Sequence, residues 1–269
     1  MATKEIVFIT GANTGIGYEA TKALLQSSKP YHVLLGSRDE SKGAAAEQKL
    51  KEEAPNTAST VEVVQIDITD DDCIHKAIAY IKEKFGKLDV LINNAGASFD
   101  GVFTEDAPNF REIFNNNFNT NASSVQVITY AAAPLLIAAP GARLIFVTSG
   151  LSTLTHNSKS LLPPWHGKIG AGWPKEGLML NAGYRTSKTA LNMMMVMWHW
   201  MLKEDGVRTF CVSPGFLATG LGGVGAEKLR SLGARDPSLG GQLLKEVVEG
   251  ERDGDAGKVV YHDGVVQDW

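Results

Sequence analysis

Short apolar, β-branched runs alternate with stretches of helical period along the whole chain, and this alternation constrains the fold more than any other feature. The strand candidates are Glu5–Thr10, His32–Gly36, Val61–Ile66, Val90–Asn93, Arg143–Thr148, Val207–Val212 and Lys258–Tyr261. Most are apolar at successive positions, as strands covered on both faces must be. Helical patterns lie between them near Ile16–Ser28, Glu40–Glu53, Asp71–Phe85, Asn109–Ile137, Gly183–Glu204 and Pro237–Glu249. This order predicts an α/β fold: a doubly wound parallel sheet of about seven strands, with right-handed crossovers and helices on both faces. With 269 residues and 43% hydrophobic content, one domain spanning 1–269 has enough core to need no staples. Two stretches break the rhythm, at about 151–181 and 216–236. Both follow predicted strands, and loops at the carboxyl ends of strands line the ligand crevice of an open α/β sheet.

Several function classes fall away on composition. A net charge of −4 gives no electrostatic footprint for nucleic acid. No apolar run approaches the length of a membrane span, and the opening stretch Ile6–Ile9 is too short for a secretory signal. Cys73 and Cys211 have neither CxxC spacing nor His partners, which argues against a disulfide framework or a zinc site and favours a reducing, cytoplasmic setting. No His/Asp/Glu spacing supports another metal.

The first strand candidate runs into Thr10-Gly11-Ala12-Asn13-Thr14-Gly15-Ile16-Gly17, and a helix follows. Glycines let a backbone turn tightly against a pyrophosphate, while the helix N-terminus offers N–H groups and a positive dipole end. A glycine turn that merely closes strand–helix packing would read similarly. The spacing is GxxxGxG, not GxGxxG.

In this position TGxxxGxG resembles the single-domain branch of the short-chain dehydrogenase/reductase family, and further motifs follow in register. Asn93-Asn94-Ala95-Gly96 is similar to the family's NNAG element beside the cofactor. Asp67 stands where the family has an aspartate near the adenine, and Ser149 where it has its catalytic serine. Tyr184-Arg185-Thr186-Ser187-Lys188 matches YxxxK, and Pro214-Gly215 with Thr219 resembles the segment that holds the nicotinamide carboxamide. The resemblance covers nearly the whole chain and implies a Rossmann-type fold. It implies cofactor contacts from Gly11, Asn13, Thr14, Gly15, Ile16, Gly17, Asp67, Asn93, Ala95, Gly96, Tyr184, Lys188, Pro214, Gly215 and Thr219.

On a helix, Tyr184 and Lys188 share one face. A free tyrosine titrates at about 10, too high for efficient acid–base work at neutral pH, and a nearby ammonium should lower that value. The resemblance gives Tyr184 the proton transfer, Lys188 its activation and the nicotinamide ribose, and Ser149 the substrate oxygen. The family's fourth residue is an asparagine in the helix before the fifth strand. Counting back from Pro134-Leu135 places it at Asn121, with Ser124 where glycine is usual and Asn119 as the alternative.

After the second strand the chain reads Ser37-Arg38-Asp39. An NAD enzyme usually carries an acidic residue at the strand end, where this chain has Ser37. Arg38 could pair with a 2′-phosphate through its guanidinium fork, assisted by Asn13 and Lys42. NADP(H) is therefore the expected cofactor, although Asp39 leaves NAD as an alternative.

Ser149 and Tyr184 lie 35 positions apart, a longer interval than most single-domain members have. Carbonyl reductases of the family carry an insertion here, covering a helix face that others use to dimerise, and the end Val265–Trp269 resembles their tryptophan-ended tails. This resemblance implies a monomer, with a homodimer as the alternative. The run Met193–Met201 is expected to be buried against the sheet and the insertion. Trp165, Trp173, Pro163 and Pro164 mark the insertion, His156 and His166 could touch substrate there, and Trp173, Met179 and Phe216 would line an apolar substrate site. The expected activity is NADPH-dependent reduction of a lipophilic ketone or aldehyde, or the reverse oxidation. The alternatives are a non-catalytic NADP(H)-binding regulator or a redox-neutral isomerase or dehydratase.

Overall fold

A computed structural model of the protein describes residues 4–102, 109–160, 169–173, 175 and 181–269. Pro163, Pro164, Trp165, His166 and Met179 lie outside the described residues. The strands are β1 (Glu5–Ile9), β2 (Tyr31–Ser37), β3 (Thr60–Gln65), β4 (Val90–Asn93), β5 (Arg143–Val147), β6 (Arg208–Ser213), β7 (Val259–Tyr261) and β8 (Val266–Gln267). The helices are α1 (Gly15–Leu25), α2 (Glu40–Glu53), α3 (Asp71–Phe85), α4 (Phe110–Phe118), α5 (Ser124–Ile137), α6 (Leu154–Lys159), α7 (Ala182–Leu202), α8 (Ala226–Ser231) and α9 (Ser238–Glu249).

The sheet order is β3-β2-β1-β4-β5-β6-β7-β8. Strands β1 to β7 pair in parallel, and β8 closes the edge antiparallel to β7. The two-residue β8 is too short to show a period, which is why the sequence yields only seven strands. The winding direction reverses between β1 and β4, so the ends of these two strands open the crevice where such sheets bind ligands.

Successive strand residues face opposite layers. One layer places Phe8, Leu34, Leu91 and Phe146 against Ile74 and Ile81 of α3, Ile128 of α5 and Leu191 of α7. The other places Val7, Ile9, Val33 and Phe210 against Leu24 of α1, Leu50 of α2 and Val247 of α9. Helices α1 and α9 cross so closely that a Cβ on Gly241 would lie 2.5 Å from the backbone carbon of Glu19. Backbone cannot yield there as a side chain could. Gly241→Ala should therefore destabilise the fold by about 1–3 kcal/mol, read as a lower urea midpoint.

The single helix expected over Asn109–Ile137 is instead two helices joined by a π turn at Asn119–Ser123. The two irregular stretches carry their own short helices, α6 and α8. Helix α7 is also less buried than its composition suggests. Leu191, Met195, Trp198 and Leu202 form its buried stripe, while Met193, Met197, Trp200 and Met201 are exposed. His199 is half-buried and packs against Gly257.

Candidate active site

The glycine turn and the end of β4 are locked together. Thr10 Oγ accepts from the backbone N–H groups of Asn94 (3.1 Å) and Ala95 (3.0 Å). Asn94 Nδ2 donates back to the carbonyls of Thr10 (2.9 Å) and Gly11 (3.1 Å). A Cβ on Gly17 would sit 2.6 Å from Asn94 Nδ2 and 2.7 Å from the Gly11 oxygen, so only glycine fits. Gly11 and Gly15 take left-handed conformations, with φ of 63° and 59°. Helix α1 then starts with no side-chain cap from Thr14 and no acidic residue in its first turn. Its orphan N–H groups and positive dipole end remain available to an anion. Asn93, named with this cluster from the sequence, turns its amide away to Thr129 Oγ on α5, at 3.1 Å.

At the end of β2, Ser37 is buried and Arg38 exposed. Asp39 caps α2, accepting from Lys42 N (3.1 Å) and Ser41 Oγ (2.6 Å). These bonds hold its carboxyl below the usual range, the Ser41 bond most strongly. A groove of about 670 Å³ between α1 and α2 is lined by Asn13, Thr14, Gly15, Lys42 and Lys49. Asp67 lies two residues beyond β3 and accepts from the Thr69 backbone (2.9 Å) and hydroxyl (2.7 Å).

Across the crevice, Ser149 follows β5 and its Oγ accepts from Leu151 N at 3.1 Å. A buried network braces this bend: Ser152 Oγ donates to the Ser149 carbonyl (2.6 Å) and Asn192 Nδ2 to Ser152 Oγ (2.9 Å). The chain end adds to it, since Gln267 Nε2 donates to the Ser149 carbonyl (3.4 Å) and the Trp269 oxygen accepts from Thr155 N (2.6 Å). The Tyr184 side chain on α7 is buried beside Ser149. Lys188, one turn on, places Nζ 5.9 Å from the Tyr184 ring centre and donates to the Val147 carbonyl at 2.8 Å.

Asn121 sits at the middle of the π turn and is fully buried. Its side chain pairs both ways with the Ala97 backbone, accepting at 3.0 Å and donating at 2.8 Å, and also donates to Ser187 Oγ at 3.0 Å. Gly96 brings the β4 loop against this group: its Cβ would lie 2.9 Å from Asn121 Oδ1 and 3.2 Å from Lys188 Nζ. The Ser124 hydroxyl donates to the Asn119 carbonyl at 2.8 Å, which helps hold the π turn. Pro214 and Gly215 follow β6, with Gly215 at φ 91°. Thr219 returns over the glycine turn, its methyl 3.7 Å from where a Gly15 Cβ would be. Trp173 and Phe216 are exposed, and so is His156.

The electrostatics correct one expectation. Burial pushes Tyr184 up to about 12, against a smaller lowering by the neighbouring Ser149. Lysine proximity does not win: burial instead brings Lys188 down to about 8. In an unfolded chain these groups titrate at about 10 and 10.4. From about pH 8 to 10 the unfolded lysine holds a proton that the folded one has lost, so stability rises with pH. Above about pH 10 folded Tyr184 keeps a proton that the unfolded chain loses, so stability falls. Urea titrations of the cofactor-free protein and of Lys188→Met should show the rise only in the parent.

Asp100, Ser152 and Asn192 also belong to this site, and no motif or spacing in the sequence marks them. Among the described residues, no group of three His, Cys, Asp or Glu side chains could hold a metal ion, and no helix is long and apolar enough to cross a membrane.

A family model described as short chain dehydrogenase matches residues 5–160. The short-chain dehydrogenase/reductase tropE of Talaromyces stipitatus is 43% identical over 99% of this chain and 98% of its own. The short-chain dehydrogenase/reductase eupG of a Phoma species is 43% identical over 93% of this chain and 92% of its own. Among solved structures, an NADPH-bound carbonyl reductase from chicken fatty liver matches with a TM-score of 0.77 and 26% identity, covering 100% of both chains. A sequence likeness that runs from end to end, on a sheet whose switch point brings the glycine turn to the Ser149–Tyr184–Lys188 cluster, makes this chain a member of the short-chain dehydrogenase family of oxidoreductases.

Proposed function

We propose that the protein is an NADPH-dependent carbonyl reductase acting on a lipophilic ketone or aldehyde. The observation that carries this reading is the convergence of buried Tyr184 with Ser149 and with Lys188 one turn away. Two hydroxyls and an ammonium on one side of the crevice form a set that can receive a carbonyl oxygen and give it a proton.

The residues present fit a nicotinamide dinucleotide. The left-handed turn at Gly11 and Gly15 and the uncapped start of α1 suit a pyrophosphate. Ser37 offers no carboxylate to a ribose 2′-hydroxyl, and Asp39 is already engaged as the cap of α2. Lys42 lines the groove with Asn13, and exposed Arg38 follows Ser37 at the end of β2, which favours a 2′-phosphate. The NADPH-bound avian relative supports the same choice.

When bound, the nicotinamide supplies the hydride. The chain's own residues do the rest. Ser149 Oγ orients the substrate oxygen and stabilises its growing negative charge. Tyr184 releases its proton to that oxygen. Lys188 offsets the negative charge left on Tyr184 and holds the cofactor ribose, while Asn121 keeps the Gly96–Ala97 segment against both. Exposed Trp173 and Phe216 provide apolar surface for substrate, and residues 151–181 act as a substrate-side insertion within a single domain.

The test is an NADPH-oxidation screen across ketones, aldehydes and quinones, repeated with NADH. One charge-assisted contact to the 2′-phosphate is worth about 1.5–3 kcal/mol, so kcat/KM should favour NADPH by at least about tenfold. A preference for NADH would overturn the cofactor assignment, and carbonyl turnover without net NADPH loss would overturn the reaction.

A further inference from the structure

Helix α7 begins without a cap of its own. Asn181, immediately before it, is left-handed with φ 51° and makes no side-chain cap bond. The N–H groups of its second and third residues would ordinarily be satisfied by such a cap. Here they are taken by a carboxylate from the other side of the crevice. Asp100 Oδ1 accepts from Gly183 N at 2.8 Å, and Oδ2 from Tyr184 N at 2.9 Å. Oδ2 also accepts from Asn117 Nδ2 (3.3 Å) and Ser98 Oγ (3.4 Å). Asp100 is only 4% exposed, so its charge is balanced by these donors and by the helix dipole.

The arrangement is specific. Gly183 lets α4 come close, since a Cβ there would lie 2.6 Å from Asn117 Nδ2. Asp100 opens the short turn Asp100–Val102, four residues beyond Gly96, which faces Lys188 and Asn121. One brief segment therefore touches both ends of the Tyr184–Lys188 pair.

We infer that Asp100 is a positioning residue for the reaction: it fixes the first turn of α7, and so the depth at which Tyr184 meets the substrate oxygen. This inference rests on Tyr184 being the proton donor. A displacement of about 1 Å at a reacting group costs on the order of a hundredfold in rate. Asp100→Asn keeps the shape but places an NH2 group against one of the two N–H donors.

The variant should bind NADPH with parent stoichiometry and a Kd within about twofold, while kcat per bound NADPH falls about 10- to 100-fold. The deuterium isotope effect on kcat should rise as the chemical step becomes limiting. Asp100→Glu, which restores the carboxylate, should recover part of the loss. A purely structural role would lower the number of binding sites and leave kcat per site and the isotope effect unchanged. Amide exchange gives a readout independent of turnover and of whether the variant folds. In the parent, Gly183 and Tyr184 N–H should exchange as slowly as the interior of α7. Rapid exchange of both in the parent, or parent kcat per site in Asp100→Asn, overturns the inference. Tyr184→Phe separates the two levels: if it retains turnover, the reading of Tyr184 fails; if it is inactive while Asp100→Asn is not, only the inference about Asp100 fails.

Discussion

Tyr184→Phe should lose about 10²–10⁴-fold in kcat, the range expected when a positioned general acid is removed, with NADPH affinity within about twofold of the parent. The side chain is buried, so phenylalanine fills the same space and the fold persists. What disappears is the hydroxyl beside Ser149. Ser149→Ala should cost about 10²–10³-fold, because it removes a donor to the developing oxyanion and leaves the acid in place. The double variant should be little worse than Tyr184→Phe alone, since groups acting as a unit are not additive. Steady-state kinetics paired with NADPH binding by fluorescence checks all three.

Gly17→Ala should have the second large effect, on cofactor binding. Its Cβ would meet the Gly11 carbonyl at 2.7 Å and the Ala12 Cα at 2.9 Å, both backbone atoms of the turn itself. Relief requires the turn to open, and with it the Asn94 bonds that tie β4 to β1. Such overpacking costs about 1–3 kcal/mol. If that strain falls on the phosphate-facing geometry, NADPH affinity drops by about tenfold for each 1.4 kcal/mol. Calorimetric titration should show a weaker Kd, and urea melts a lower midpoint.

Local pattern made most of the fold legible. Continuous apolar runs with helical stretches between them are enough to specify a covered parallel sheet, and β4, α2 and α3 occupy their expected spans. Gly96, Asn121 and Lys188 meet across the crevice, whereas Asn93 turns to Thr129 on α5, which the motif alone does not reveal. Features set by tertiary contact were hidden. The π turn at Asn119–Ser123 accompanies a pairing of Asn121 with Ala97 that no periodicity encodes. Asp100 bonds to residues 83 and 84 positions away, and an isolated aspartate after a glycine-rich element carries no signal of that. The shift at Tyr184 is hidden in the sequence for a related reason. The i,i+4 spacing reports a neighbouring lysine, whereas burial, the larger cause, depends on the whole crevice. The methionine-rich run is apolar round most of the helix, so composition could not reveal that Met195 and Trp198 are buried while Met193, Met197, Trp200 and Met201 are exposed.

The proposed reaction passes hydride from NADPH to a carbonyl carbon beside Tyr184, Ser149 and Lys188. It is tested most directly by a single turnover with NADPH deuterated at C4 and a ketone identified by the screen. The expected result is one equivalent of NADP⁺ per alcohol formed, deuterium on the carbinol carbon from one of the two C4 positions only, and neither product in Tyr184→Phe on the same timescale. Product lacking deuterium, or formed with NADPH unchanged, would contradict it.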